Sequence, residues 1–195
     1  MLRFKPINLS MVDSATNDLM KTAEDLMGFK PNDALTMAGM PGLLQGVSGL
    51  IKAVYSPGRV DPGLKRLIGF MSSSVNGCQY CMAHVAGSAQ NNGISAEKLS
   101  ALWEYETSNY FSDRERSALD ISRYGSQSPS GINDEMFMTF TKYFDEAERL
   151  EILAVVSLFG FLNRWNSIAM TEIEPESREA WERLDTDKFL SERPF

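Results

Sequence analysis

The stretch Asp145-Glu-Ala-Glu-Arg-Leu-Glu-Ile-Leu-Ala-Val-Val-Ser-Leu-Phe-Gly-Phe-Leu-Asn-Arg-Trp-Asn-Ser-Ile-Ala-Met170 decides the fold class. Its acidic start, Asp145-Glu-Ala-Glu148, opens a helix, and apolar residues then occupy every side of it to about Met170, the pattern of a central buried helix. Working outward, the same helical periodicity recurs and no segment sustains a two-residue alternation. Ser112-Asp-Arg-Glu115 has the spacing of a capping box, and Ser95 caps a helix over 97–105. One helix opens at Cys78; the one before it starts at Asp61-Pro62 and is ended by Asn76-Gly77. Pro41 takes the first-turn position of another, which Ser56-Pro57-Gly58 stops, and the first helix runs over 10–28 with Ser10 as N-cap. A polar amphipathic helix is predicted over 176–190. The expectation is an all-α, single-domain helical bundle of about eight helices spanning 1–195.

Composition narrows the function. A chain of 195 residues, 43% hydrophobic and 23% charged, can bury a core without staples, which excludes a disordered chain or a small disulfide scaffold. With 19 Lys+Arg against 26 Asp+Glu, the net charge of −7 argues against nucleic acid and against an anionic membrane face. No apolar stretch follows the N-terminal charges as in a secretory signal. The longest apolar run, 150–162, is interrupted by Glu151, Ser157 and Gly160 and falls short of the roughly 20 residues of a membrane span. A soluble, cytoplasmic protein is expected, with neither nucleic acid nor membrane as partner.

The two cysteines and the one histidine all fall in Cys78-Gln79-Tyr80-Cys81-Met82-Ala83-His84. A structural zinc site wants four ligands, normally as two separated pairs, and only three candidates are present, so no metal is expected. Buried cysteines acting as small hydrophobes are a second reading. Thiol redox chemistry is the third and best supported. Gly77 closes one helix, so Cys78 falls at the start of the next, where free backbone N–H groups favour a thiolate. Cysteines three apart on a helix stand within disulfide range, and His84 follows on nearly the same face, able to shuttle a proton. One sulfur would attack an oxidant, the other would resolve the product as a disulfide, and an external reductant would reset the pair.

Val75-Asn76-Gly77-Cys78-Gln79-Tyr80-Cys81 with His84 resembles the signature of the carboxymuconolactone decarboxylase superfamily, in its alkylhydroperoxidase D-like branch. The stretch from Leu158 to Asn166 is similar to a second segment of longer, peroxidase-related members, and the core resemblance covers about 40–170. The resemblance implies an all-α fold, homo-oligomeric assembly, and reduction of a small hydroperoxide or disulfide by Cys78 and Cys81 with His84. It implies no cofactor beyond the redox disulfide, and a thiol or dihydrolipoyl-type reducing partner. Two positions depart from the pattern: the histidine follows the second cysteine by three residues rather than four, and Arg66 occupies the place of the relay glutamate. Glu104 and Glu106 are the nearest acidic residues after the motif.

Trp165, Asn166, Tyr80 and Arg66 are candidate substrate-binding residues, although packing is the expected role of Tyr80. Glu172, Glu174 and Glu176 read as a solvated face. Two rival functions remain: decarboxylation or isomerisation of a small cyclic acid on the same scaffold, and a non-enzymatic module whose assembly responds to redox state.

Overall fold

The helix at the centre of the molecule is not the one its apolar pattern suggests. The computed structural model describes residues 3–184. In chain order, the N-terminal half holds α1 (Ser14–Met27), α2 (Asn32–Met37), α3 (Leu43–Tyr55), α4 (Pro62–Val75) and α5 (Gln79–Asn91). There follow α6 (Ala96–Ser100), α7 (Asp113–Gly125), α8 (Asp134–Tyr143), α9 (Glu146–Ala169) and α10 (Pro175–Glu182). Short 3-10 turns stand at Leu9–Met11 and Leu102–Glu104, and no strand occurs among the described residues. The fold is all-α, as expected.

The central helix is α4, which packs on α5, α7 and α9 and is buried almost throughout. Its small and polar residues permit this. A β-carbon at Gly69 would run into the Phe159 ring, so glycine there sets the approach of α4 to α9. Ser72 and Ser122 exchange a hydrogen bond of 2.9 Å, and Ser73 bonds back to the Gly69 carbonyl at 2.8 Å. Buried Lys65 is fully partnered: its Nζ donates to the Val54 carbonyl at 2.9 Å and pairs with Glu151 at 2.9 Å. A buried helix with polar residues survives here because Lys65, Ser72 and Ser73 each find a partner.

By contrast α9 buries Ile152, Val155, Leu158, Phe159 and Leu162 and leaves Leu150, Leu153, Phe161 and Ile168 exposed. It is therefore not surrounded by protein, although its apolar residues go all the way round. At 24 residues it is also long and apolar enough to cross a membrane by length and composition, which the interrupted run 150–162 does not suggest.

Local signals set several helix ends as read. The capping boxes Ser112/Glu115 and Asp145/Glu148 both form, Asp61 accepts from the Leu64 N–H before Pro62, and Ser95 caps Lys98. Others differ. Asp13, not Ser10, caps α1 through the Thr16 N–H, because Ser10 is taken up in the 3-10 turn capped by Asn8. Pro41 precedes α3 rather than opening it; Gly42 in a left-handed conformation turns the chain first. The helix expected over 97–105 breaks into α6 and a 3-10 turn. Two helices are additional. α2 is only 6 residues, too short to show a period, and α8 spreads Phe137 and Met138 to solvent while burying Phe140, which blurs one. Residues 185–190 of the expected last helix lie outside the described residues.

Candidate functional site

The corner between α4 and α5 is built by one glycine. Gly77 has φ +63°, which a residue without a β-carbon adopts without strain. Its N–H donates to the Ser74 carbonyl (3.0 Å) and the Cys78 N–H to the Ser73 carbonyl (2.9 Å), the paired bonds of a Schellman turn. The chain emerges with Cys78 as the N-cap of α5, its carbonyl accepting the Met82 N–H at 3.0 Å. Cys78 thus stands at the positive end of the α5 dipole, and Cys81 lies one turn in.

Both thiols are free and buried. The Cys81 thiol shares a hydrogen bond with Cys78 and thereby pulls the Cys78 pKa down. Burial opposes that pull, and the Cys81 backbone N–H and the Ser167 hydroxyl reinforce it. The same hydrogen bond, with burial and the charge on Cys78, pushes Cys81 well up. The shared hydrogen bond thus favours the thiolate form at Cys78 and the protonated form at Cys81. Ser167 is exposed, whereas the partner of Cys81 is buried Asn166, whose Nδ2 approaches Sγ at 3.4 Å. Asn166 also donates to Asp33 Oδ2 (3.3 Å), and its own Oδ1 accepts from the Thr171 hydroxyl at 2.8 Å. Thr171 reaches back because Met170 takes a left-handed conformation, φ +56°, immediately after α9.

Behind the thiols lies a carboxylate network. His84 Nε2 meets Glu174 Oε2 at 2.6 Å, and the Tyr80 hydroxyl lies 2.9 Å from Glu174 Oε1 and 3.1 Å from Asp33 Oδ1. The Asn32 N–H donates to Glu174 Oε1 at 2.6 Å. The Tyr80 and His84 rings stack one turn apart, centroids 4.3 Å from each other. Burial pushes the Glu174 carboxyl up, but its hydrogen bond and charge interaction with His84, aided by the Asn32 N–H, hold it below its ordinary value. Burial, followed by the charges of Asp33 and Glu174, pushes the Tyr80 phenol far up, so it stays a hydroxyl.

The sequence candidates are distributed as follows. Cys78, Cys81, His84, Tyr80 and Asn166 come together in one connected network, but His84 turns its Nε2 to Glu174 rather than to a sulfur. Tyr80 is packed in the core, and its hydroxyl in addition joins two acidic side chains. Trp165 lies beside the network, its indole N–H donating to Thr36 at 3.2 Å. Arg66 is stacked on Tyr55, 3.6 Å from guanidinium carbon to ring centroid. Glu106 pairs instead with Arg123 at 3.0 Å, and Glu104 lines a shallow cavity with Tyr110 and Arg183.

Glu174 is the main correction. Glu172 and Glu176 are solvated as expected, but Glu174 is only 5% exposed, the N-cap residue before Pro175 in α10. Neither Asp33 nor Glu174 stands out in the sequence. The one local signal is that each lies next to a proline turn, Pro31-Asn32-Asp33 and Glu174-Pro175, where a rigid backbone can aim a side chain.

The family model for the carboxymuconolactone decarboxylase family matches residues 41–123. The solved structure of the debrominase Bmp8 is 31% identical, with a TM-score of 0.83, and the match covers 91% of this chain and 95% of that one. A cysteine-to-alanine variant of the same debrominase, in complex with 2,3,4-tribromopyrrole, matches at 30% identity and TM-score 0.84 over 93% of this chain and 97% of that one. A peroxidase-related protein from Ralstonia eutropha JMP134, described as an alkylhydroperoxidase AhpD core, shares the fold at 20% identity and TM-score 0.82, covering 90% and 94% of the two chains. The protein YdfG of Bacillus subtilis (strain 168) is 23% identical over 107 residues, 54% of this chain and 71% of its own.

Proposed function

The chain belongs to the carboxymuconolactone decarboxylase family, and from that membership we propose a thiol-dependent oxidoreductase in which Cys78 and Cys81 reduce a hydroperoxide. The observation that carries this reading is the division of labour between the sulfurs: Cys78 caps a helix and is held toward thiolate by the Cys81 thiol. The Cys78 thiolate attacks the terminal oxygen of ROOH. The O–O bond breaks, RO⁻ leaves and is protonated to ROH, and Cys78 becomes a sulfenic acid. Cys81 gives up its proton and attacks the Cys78 sulfur; the S–S bond forms and water departs. The sum is ROOH plus two thiols giving ROH, water and one disulfide. An external thiol or dithiol of the dihydrolipoyl type then restores the pair.

Proton movement is the task of the carboxylate side. His84 and Glu174 form a hydrogen-bonded couple partly open to solvent, Tyr80 continues it to Asp33, and the Asn166 amide, donating to both Asp33 and the Cys81 sulfur, holds that end of the network against the thiol. Glu174 takes the part that the Arg66 position cannot supply, since guanidinium does not accept protons at neutral pH.

A second reading is favoured by the debrominase at 31% identity: reductive removal of a halogen from an electron-rich ring. Its balance is the same two-electron step, with ArBr plus two thiols giving ArH, HBr and the disulfide. Homo-oligomeric assembly is supported by the apolar residues that α9 leaves exposed. Light scattering at micromolar concentration tests it, and a monomer would remove it.

The deciding experiment is peptide-level mass spectrometry of reduced protein after one equivalent of cumene hydroperoxide or 2,3,4-tribromopyrrole, with the initial rate followed. Rapid loss of two hydrogens, mapped to Cys78 and Cys81, with cumene hydroperoxide supports the peroxidase. The same loss only with the bromopyrrole supports dehalogenation. Thiols that stay reduced with both overturn the oxidoreductase reading.

A further inference from the structure

Among the described residues, five buried side-chain polar atoms find no hydrogen-bond partner, and two of them, the Arg66 Nε and the Tyr55 hydroxyl, stand on side chains that adjoin each other, unlike Ser117 Oγ, Ser126 Oγ and Asn163 Oδ1. The Arg66 Nε and the Tyr55 hydroxyl are both closed off from solvent; no acceptor faces Nε, and the polar neighbour of the hydroxyl is the Arg66 guanidinium itself. They belong to side chains that touch, with the guanidinium lying over the Tyr55 ring. None of the ion pairs among the described residues involves Arg66. The contrast with the adjacent residue is sharp: Lys65 has two carbonyls and a carboxylate. Buried donors are paired as a rule, so adjacent exceptions carrying a positive charge describe a receptor for something the chain does not contain. The spot also lies in electrostatic reach of the reaction: burial pushes the Tyr55 phenol up, the charge and hydrogen bonding of Arg66 pull it down, and the Cys81 charge pushes it up again.

We propose that Arg66 and Tyr55 form an anion subsite that takes the carboxylate of the molecule reacting at Cys78 and Cys81. The Arg66 Nε–H and the Tyr55 O–H supply donors to the carboxylate oxygens, and the guanidinium supplies the charge. The binding itself does not depend on the thiol reading; only the use made of it does. Two sources share this chemistry, a carboxylate-bearing oxidant and a carboxylate-bearing dithiol reductant.

Benzoate is the probe, titrated into the full chain and followed by amide NMR shifts. Saturable binding is expected, weaker by roughly tenfold or more in Arg66→Gln, intermediate in Arg66→Lys, and several-fold weaker in Tyr55→Phe. The double variant Cys78→Ser/Cys81→Ser should bind benzoate as tightly as the parent, which separates this proposal from the oxidoreductase reading. Absent saturation, or equal binding by Arg66→Gln, overturns it; if that variant does not fold, Arg66→Lys and Tyr55→Phe carry the comparison. Competition then identifies the source. Benzoate that slows thiol oxidation by a carboxylated cumene hydroperoxide but not by cumene hydroperoxide itself marks the oxidant. Benzoate that slows re-reduction by dihydrolipoate but not by dihydrolipoamide marks the reductant. Benzoate that binds yet slows neither overturns the assignment to a reacting molecule.

Discussion

Cys78 and Cys81 owe their relation to a single helical turn, whereas Asp33 and Glu174 reach the Tyr80 hydroxyl from 47 and 94 residues away. The thiol side is local: a glycine turn, a helix start and a three-residue spacing bring the sulfurs together before any tertiary contact exists. The acid side is assembled by the fold, from a short helix after α1 and from the loop between α9 and α10. Asn166 joins the two sides, with one amide nitrogen facing both the Cys81 sulfur and the Asp33 carboxylate. In the mechanism proposed above the tasks separate in the same way: the local half supplies the nucleophile, and the assembled half handles protons.

The harshest way to break that comparison is to remove the sulfurs. Cys78→Ser should reduce peroxide turnover to background, while Cys81→Ser should allow one turnover and leave a sulfenic acid on Cys78 that dimedone traps. A sulfenic acid appearing on Cys81 in Cys78→Ser at the parental rate would reverse the roles.

Glu174→Gln attacks the other side. Turnover should fall by about 10²- to 10⁴-fold, the usual span for a lost proton-transfer group, with Cys78 alkylation little changed. The same variant has a stability signature. Because Glu174 is held below its ordinary pKa in the folded protein, its contribution is complete above the unfolded-state value and is lost as pH falls through the folded one. Acid melts of the parent should therefore show a limb below the ordinary carboxylate range that Glu174→Gln flattens; an unchanged limb would remove the ion pair with His84.

Smaller effects sharpen the boundary between the halves. Cys81→Ala removes the thiol donor to Cys78, so the pH midpoint of iodoacetamide alkylation should rise. A midpoint that stays in place would assign the lowering at Cys78 to the helix start and the Ser167 hydroxyl. The smallest change is in the turn: Gly77→Ala, at φ +63°, should cost about 1–2 kcal/mol and lower the melting temperature by roughly 2–8 °C. Loss of turnover in the folded fraction would then measure how finely that turn aims Cys78.

The sequence by itself determined the all-α class, most helix starts and the thiol pair, because caps, glycine turns and helical spacing act over three or four residues. It also marked Asn166 as a polar residue in an apolar helix. Tertiary structure decided which helix is central. α4 could be buried because Lys65 and the serines find partners on α3, α7 and α9, a fact that no hydropathy pattern contains. It also decided that Glu174 is buried while Glu172 and Glu176 are solvated, and that Asp33 stands opposite it. A carboxylate's role depends on what surrounds it, and its surroundings here come from chain segments that only the packed core brings together.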